Sequence, residues 1–285
     1  MARKKGGGGG RQRARQRAQY DELDKYPVMP PHAFARIVRD KQTLNIIYQI
    51  IEPPLTKKEQ EQRDEIMDIF IRSLTANIDE IDSNPEAYVR TAMDKVIKSY
   101  SMKINKKSKS KLFYYLRRDL IGYGKMDVLM NDVNVEDVSL DGTNVPIFAY
   151  HRKFESVETT CVWETDEELE SYVIKLAQRC GKHISVAEPL LDATLMDGSR
   201  IVMKLGHEIS TRGSAFCIRR FKDDPFSPAD IVAFRTMSSL MVAYLWIAFQ
   251  NEVPMLFVGG TASGKTTTLN AMCIFIPWQM KIVSI

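Results

Sequence analysis

Residues 257–270 read FVGGTASGKTTTLN. Within this run, Gly259, Gly264, Lys265 and Thr266 match the spacing Gly-x-x-x-x-Gly-Lys-Ser/Thr, which is typical of loops that hold nucleotide phosphates. The apolar stretch VPMLFV precedes the loop, and we expect it to form a strand in the middle of a parallel sheet. The stretch KTTTLNAMCIFI follows, and we expect it to form a helix that Pro277 closes. This order of strand, loop and helix predicts a phosphate-binding loop.

The residue types of the loop suit the binding of ATP and Mg²⁺. Glycines let the backbone approach phosphates closely, and successive N–H groups at a helix N-terminus hold an anion. We expect Lys265 to reach the β- and γ-phosphates and the Thr266 hydroxyl to bind Mg²⁺. The alternative is a glycine-rich turn whose lysine has no ligand. The expected cofactor-binding residues are Gly259, Gly260, Thr261, Ala262, Ser263, Gly264, Lys265, Thr266 and Thr267.

The net charge of +4 conceals an uneven distribution. The first 19 residues hold seven Lys or Arg and no acid, so the remainder carries 4 − 7 = −3. Five consecutive glycines and alternating Arg and Gln cannot bury apolar surface, which predicts a disordered tail. The tail is interpreted as a solvated arm, with attraction to an anionic membrane face or to nucleic acid as alternatives.

Apolar patterning argues against a membrane span. The longest apolar run, LMVAYLWIAF at 240–249, has ten residues, whereas a span needs about 20. No charged-then-apolar signal peptide opens the chain, so we expect a cytoplasmic protein. The four cysteines lie far apart with no CxxC pair, which indicates reduced thiols.

The rest of the chain predicts an α/β fold in several segments. We expect helices capped by Thr56, with Glu59 in a capping box, and by Asn84, with Pro85 in the first turn. The expected domain organisation is a tail at 1–19, a helical module at 20–105, a basic linker at 106–111, an α/β module at 112–225, a linker at 226–237 and the start of a P-loop domain at 238–285.

Within the α/β module, turn and stop residues delimit the expected elements. We expect a helix that ends at Gly122, two strands around Asp141-Gly142, and an amphipathic helix that stops at Gly181. The stretches GSRIVMKLG at 198–206 and SAFCIRRF at 214–221 are expected to be strands. Beyond this module, Ser238 is expected to cap a buried helix at 239–250, and SPAD at 227–230 to start a helix.

ATP hydrolysis needs more than a site that binds the phosphates. A P-loop ATPase also needs a carboxylate to hold Mg²⁺ and another to orient the attacking water. These acids lie on strands after the P-loop helix, but only KIVSI, 281–285, follows it here, and that stretch contains no acid. We therefore expect a C-terminally truncated ATPase domain, with hydrolysis by this chain left open.

The chain resembles the archaeal type II/IV secretion ATPases, which include the archaellum motor ATPase and the archaeal pilus-assembly ATPases. The resemblance covers about residues 45–285, and its most specific parts are 114–142 and the loop TASGKTTTLNA. The matching segments are IIEPP (50–54), YYLRRDLIGYGKMDVLMNDVNVEDVSLDG (114–142), PLLDATLMDGSRI (189–201), GSAFCIRRF (213–221), SSLMVAYLWIAF (238–249) and 259–285.

The resemblance implies N-terminal modules joined to a RecA-like domain, with six subunits in a ring beneath the membrane. ATP would lie between the two halves of each subunit, and the ring would drive filament assembly through a membrane platform protein. It also implies arginines that reach the γ-phosphate: Arg200, and either Arg219 or Arg220. Adjacent strand residues face opposite ways, so only one of the latter two can point at the site. We favour Arg219; the alternative for each is a surface arginine paired with a carboxylate.

Three functions are compatible with the sequence. The first is a secretion or filament motor ATPase, and the second is a P-loop translocase of nucleic acid, which the basic tail allows. The third is a nucleotide-binding assembly fragment without catalysis. The loop and the resemblance favour the first function, so we expect a homo-oligomer and a platform protein as partners rather than nucleic acid.

Overall fold

A computed structural model describes residues 19–73, 84–220, 226–260 and 263–283. The chain divides into two units, residues 1–221 and 222–285. The predicted basic tail at 1–19 lies outside the described residues except for its last position. None of the helices in the described ranges is long and apolar enough to cross a membrane.

Nine strands of the first unit form one sheet, and helices pack with it, so the α/β prediction is confirmed. In chain order the strands are β1 Tyr20–Met29, β2 Ala33–Asp40, β3 Ile46–Ile51, β4 Val135–Leu140, β5 Pro146–His151, β6 Glu155–Val162, β7 Leu190–Thr194, β8 Arg200–Lys204 and β9 Ala215–Arg219. Their spatial order is β1-β2-β3-β6-β5-β4-β9-β8-β7. Neighbours are antiparallel except β3 and β6, which run parallel and share the Cα pairs Ile47–Glu158 and Tyr48–Thr159.

Each of the two units contains several of the described helices. The first unit holds α1 Lys57–Ser73, α2 Pro85–Ser99, α3 Lys106–Leu120, α4 Asp127–Asn131 and α5 Asp166–Arg179, with a 3₁₀ turn at Gly124–Met126. The second unit holds α6 Pro228–Ala233, α7 Ser239–Gln250 and α8 Lys265–Met272, with a 3₁₀ turn at Cys273–Phe275.

One face of the sheet is buried in the main core. Along β8, Ile201 and Met203 are fully buried while Arg200, Val202 and Lys204 face outward, which is the two-residue period of a strand with one covered face. The amphipathic helix predicted for this region is α5, and its four predicted core residues are all buried: Leu169, Val173, Leu176 and Ala177. They belong to the same apolar cluster as the inward residues of β8 and β9, so α5 helps to cover that face of the sheet.

Helices α1, α2 and α3 form a separate apolar cluster, and the predicted caps of α1 and α2 are confirmed. Thr56 N donates to Glu59 Oε2 at 2.8 Å, and Glu59 N donates to Thr56 Oγ1 at 3.3 Å. At α2, Asn84 Oδ1 accepts from Ala87 N at 3.1 Å, and Pro85 is the first helical residue. The cluster's fully packed members are Ile66, Phe70, Val89, Met93, Val96, Leu112 and Leu116.

Two sequence predictions of secondary structure in the first unit are wrong. Residues 20–51, expected to be helical, form β1, β2 and β3, because the buried positions of β2 recur mainly at alternate residues and the strand pairs on both sides. The expected linker at 106–111 is the first part of α3, which Asn105 caps by accepting from Ser108 N at 2.8 Å. Ser108 then donates to Glu59 Oε1 at 2.7 Å, so packing against α1 outweighs the polar composition of this stretch. The domain division as a whole stays a prediction.

Asp132 lies at the centre of a buried polar cluster that ties the first strands to the rest of the unit. Its Oδ2 accepts from the hydroxyls of Tyr26 in β1 and Tyr48 in β3, both at 2.6 Å. Its Oδ1 accepts from Asn134 N at 2.9 Å. Tyr26 also contacts His151 Nε2 at 3.0 Å, and burial lowers the pKa of this histidine. The carboxylate therefore compensates its own burial through partners that are far apart in sequence.

A first prediction concerns Glu59, which is 7% exposed and joins the start of α1 to α3. Hydrogen bonds from Ser108 and Thr56 lower its pKa from 4.5 to about 2. Because the pKa is depressed on folding, its stabilisation is present above about pH 4.5 and is lost as the pH falls towards 2. We expect Glu59→Gln to lower the unfolding free energy by about 1–2 kcal/mol at pH 7, with the loss shrinking in acid.

Urea unfolding of the wild-type protein and the variant between pH 7 and pH 2 measures this difference. Glu61→Gln is the matched control, since Glu61 lies on the same helix and is exposed. It should change the unfolding free energy by no more than about 0.5 kcal/mol at each pH. A Glu59→Gln deficit that stays constant down to pH 2 would contradict the assignment.

Candidate functional site

The glycine-rich loop leads directly into α8, as the sequence predicts. The helix begins at Lys265, and Gly264 precedes it with a φ of 82°, a conformation that glycine adopts without strain. No side chain caps this end, and Thr268 N donates to Gly264 O at 2.8 Å as the first turn closes. The N–H groups of residues 265–267 therefore have no acceptor within the helix, which is the arrangement that attracts an anion.

The first glycine of the loop lies close to Ser263. A Cβ atom at position 259 would lie 2.5 Å from Ser263 Oγ, a contact that rotation of the serine side chain would relieve. The Lys265 ammonium folds back and donates to the carbonyl oxygen of Gly260. The loop thus holds the lysine beside its own backbone, next to the exposed helix end. Two predicted cofactor-binding residues, Thr261 and Ala262, lie outside the described residues.

Helix α8 is anchored by one face and free at its N-terminal end. Ala271 and Met272 are buried against Ile231 of α6 and Val242 of α7. Thr266 and Thr267 are exposed, so their hydroxyls are accessible from solvent. A helix end with free amides, two hydroxyls and one ammonium has the donors that a polyphosphate needs, and a hydroxyl that can ligate Mg²⁺.

The strand predicted before the loop is not formed. Residues 253–259 form no regular structure, and Leu256 and Val258 are 87% and 80% exposed. A strand needs a hydrogen-bonding partner, and the described residues of the second unit form helices and turns only. Residues 281–283 also lack regular structure, and the last two residues of KIVSI lie outside the described ranges.

Helix α7 is correctly placed by its sequence but is not buried. Ser238 caps it by accepting from Met241 N at 3.3 Å. Leu240 and Tyr244 are 81% and 73% exposed, and only Val242 and Ala248 are buried along its length. The expectation of a buried helix is therefore wrong, because α6, α8 and their neighbours cover a narrow stripe of α7.

The predicted arginines lie together on the outer face of the sheet in the first unit. Arg200 of β8 and Arg219 of β9 are directly opposite each other across the two strands. Arg219 Nε donates to Asp137 Oδ1 of β4 at 3.2 Å, and the Arg219 side chain is 79% exposed. Two like charges in opposite positions disfavour the sheet, and the one carboxylate offsets this only in part. An anion bound at this pair would relieve the repulsion.

Arg220 turns to the other side of the strand, as the alternation predicts. Its Nη1 donates to the backbone carbonyl oxygens of Asp132 and of Val135, the latter at 2.8 Å. Burial lowers the pKa of its guanidinium. Arg220 is therefore a structural residue, which leaves Arg219 as the exposed member of the two. Sequence reasoning missed both the carboxylate partner Asp137 and the anchoring role of Arg220, since each depends on strand register.

Sequence comparison identifies relatives without an assigned activity. No family model matches the chain. An uncharacterised protein of Methanocaldococcus jannaschii is 40% identical over 164 residues, which are 57% of this chain and 65% of that protein. Another from the same organism is 32% identical over 264 residues, which are 91% of this chain and 47% of that protein. The chain thus spans less than two thirds of the length of either relative.

Two solved structures are similar at low scores. The VirB11 ATPase of the Brucella suis type IV secretion system, in complex with sulphate, aligns with a TM-score of 0.34 and 21% identity, over 54% of this chain and 52% of that chain. The Legionella pneumophila ATPase DotB aligns with a TM-score of 0.30 and 16% identity, over 52% of this chain and 40% of that chain.

The two neighbouring arginines should differ sharply in their effect on stability. We expect Arg220→Ala to lower the unfolding free energy by about 2–3 kcal/mol, because it removes charged donors from partly buried carbonyl groups. Arg219→Ala should change it by no more than about 0.5 kcal/mol, since its ion pair is exposed. Urea unfolding followed by circular dichroism compares them. Equal losses in the two variants would show that the strand orientation is wrong.

Proposed function

We propose that the chain is the ATP-binding part of a motor subunit of a secretion, pilus or archaellum assembly system. The observation that carries this proposal is the Gly-Lys-Thr loop at the uncapped N-terminus of α8. The loop sequence supplies the phosphate ligands, and the family resemblance of residues 45–285 supplies the class of machine. The subunit would be cytoplasmic and peripheral at the inner face of the cell membrane.

In this proposal ATP binds with its phosphates over the amides of residues 265–267. Lys265 would leave the Gly260 carbonyl oxygen and contact the β- and γ-phosphates, because a phosphate anion attracts its ammonium group more strongly than a neutral carbonyl oxygen does. Thr266 would ligate the Mg²⁺ ion that accompanies the nucleotide. The ion and the nucleotide supply the phosphoryl chemistry, and the loop residues bind and orient them.

Arg200 and Arg219 are proposed to contact the γ-phosphate from the first unit. Their mutual repulsion across β8 and β9 supports this role, because a bound anion lowers the energy of the pair. Guanidinium groups also stabilise the charge that spreads over the γ-phosphate oxygens as the bond to it breaks. By this reasoning Arg219, and not Arg220, is the catalytic candidate of the β9 strand.

The higher-order features of the proposal come from the family resemblance. They are a homo-oligomeric ring of six subunits, a polytopic membrane platform protein as partner, and ATP hydrolysis that drives protein export or filament assembly. An assay of phosphate release by this chain tests the hydrolysis step separately from nucleotide binding. Nucleotide binding without phosphate release would favour the reading of a binding and assembly fragment.

A nucleic-acid translocase is the second candidate, and the seven basic residues of the tail favour it. That function requires binding to single-stranded or duplex DNA and stimulation of ATP turnover by the bound polymer. Fluorescence anisotropy with a labelled oligonucleotide, in parallel with phosphate release, separates this candidate from the filament motor. We expect neither response at physiological salt.

The loop assignment predicts a large effect of one lysine. Lys265→Ala should weaken Mg²⁺–ATP binding by about 10- to 100-fold, because a charged contact to phosphate is lost. Titration with a fluorescent ATP analogue measures the affinity, and Lys281→Ala, an exposed lysine of the same unit, is the control and should bind like wild type. Unchanged affinity in Lys265→Ala would refute the phosphate-binding loop.

The arginine assignment predicts discrimination between ATP and ADP. The double variant Arg200→Ala/Arg219→Ala should lose several-fold in affinity for ATP and little for ADP, since only ATP carries the γ-phosphate. Arg152→Ala is a suitable control because Arg152 also forms an exposed ion pair, with Glu136 at 2.9 Å. An equal loss for both nucleotides, or for the control, would argue against a γ-phosphate contact.

A further inference from the structure

One continuous stretch of the first unit is strongly basic. Residues 95–118 contain nine Lys or Arg and no Asp or Glu. Four of the nine have acidic partners elsewhere in the fold: Lys109 with Asp94, Lys111 with Glu59, Arg117 with Asp127, and Arg118 with Glu52 and Asp119. The other five have no ion pair among the described residues, and all five are exposed: Lys95, Lys98, Lys103, Lys106 and Lys107. We call these five residues the lysine end.

The packing of α2 against α3 brings the lysine end together. Arg90 stacks over the Phe113 ring at 4.4 Å, and Asp94 pairs with Lys109 at 2.7 Å. From Arg90 to Asp94 the chain moves four residues forward along α2, while their partners move four residues back along α3, from Phe113 to Lys109. The two helices are therefore antiparallel. Four more residues along α2 lead to Lys98, which therefore lies level with residues 105 and 106 at the start of α3. The short connection between the helices carries Lys103 at the same end.

The connection between α2 and α3 is held in place. Met102 N donates to Ile97 O at 3.0 Å, and the side chains of Met102 and Ile104 pack against the three-helix cluster. Tyr100 remains 58% exposed beside them. The lysines around this connection are therefore presented by a packed turn that also displays an aromatic ring.

The charge arrangement at the start of α3 is unfavourable for the protein alone. The first turn of α3 contains no acid, and Lys106 and Lys107 lie at the positive end of the helix dipole. Lys98 and Lys103 lie at the same end of the helix pair and add charge of the same sign. Sequences tolerate such a local conflict where a partner compensates it, and this partner must be anionic.

We propose that the lysine end is a docking surface for an anionic phospholipid bilayer. Lysine ammoniums act as point charges that suit a diffuse negative surface, and each contributes several-fold to binding. The five unpaired cations include no arginine, the residue that dominates bidentate recognition of phosphates and bases. Tyrosine is enriched at membrane–water interfaces, so the exposed Tyr100 fits the same partner. The bilayer would thus contact the first unit through the helix ends.

Co-sedimentation of the full chain with vesicles tests the proposal. The vesicles contain equal parts of phosphatidylglycerol and phosphatidylcholine, with pure phosphatidylcholine vesicles as the neutral comparison, at about 0.1 M salt, where surface charge still acts over about 10 Å. We expect wild type to bind the anionic vesicles only. Partitioning should fall at least tenfold in the variant Lys98→Gln/Lys103→Gln/Lys106→Gln/Lys107→Gln.

The matched control removes the same net charge elsewhere in the first unit. It carries Lys41→Gln, Lys125→Gln, Lys153→Gln and Lys204→Gln, and it should keep partitioning within about twofold of wild type because its lysines lie outside the lysine end. Circular dichroism checks folding, and the first variant should be at least as stable as wild type, since it relieves repulsion at the start of α3.

Four results would overturn the proposal. They are no binding of wild type to anionic vesicles, unchanged binding of the lysine-end variant, an equal loss in the control, and binding to duplex DNA that depends on these lysines while vesicle binding does not. The last result assigns the surface to nucleic acid. Since both quadruple variants keep the phosphate-binding loop, their affinity for ATP should equal that of wild type whether or not the proposed function holds.

Discussion

The carboxylate of Asp132 must be satisfied inside the first unit, and much of the fold depends on this requirement. Among the described strands, β1 to β3 pair with the other six through the short parallel contact of β3 with β6. The hydroxyls of Tyr26 and Tyr48 reach across to Asp132 and add a second connection. A buried charge without such partners would cost several kcal/mol, so the cluster specifies where β1 and β3 lie.

The same cluster decides which arginine is available to a ligand. Arg220 bonds the backbone carbonyl of Asp132, and strand alternation then directs Arg219 to the opposite face. There its Cα atom lies opposite that of Arg200, so two arginines share an open face of the sheet. The residue that anchors the core, Arg220, and the residue proposed to contact the γ-phosphate, Arg219, are thus neighbours in the sequence.

The wrong predictions share a physical cause. Residues 20–51 are expected to be helical and residues 106–111 to be a linker, but pairing with distant strands and the contact of Ser108 with Glu59 determine their structure. The stretch 253–258 and α7 are apolar enough to suggest burial, but burial depends on what packs against them, and the described neighbours cover little of either. Local composition carries no information about such partners.

The sequence by itself determined the features that depend on short-range geometry: the glycine spacing of the loop, the start of α8 at Lys265, the caps at Thr56 and Asn84, and the alternation of β8 and β9. Each needs only a few consecutive residues and a backbone hydrogen bond. The tertiary structure alone decided that Arg200 lies opposite Arg219, that Arg220 is anchored to backbone carbonyl groups, and that the residues of the lysine end lie close together. These depend on strand register and helix packing between residues distant in sequence, which arise from the free energy of the whole fold.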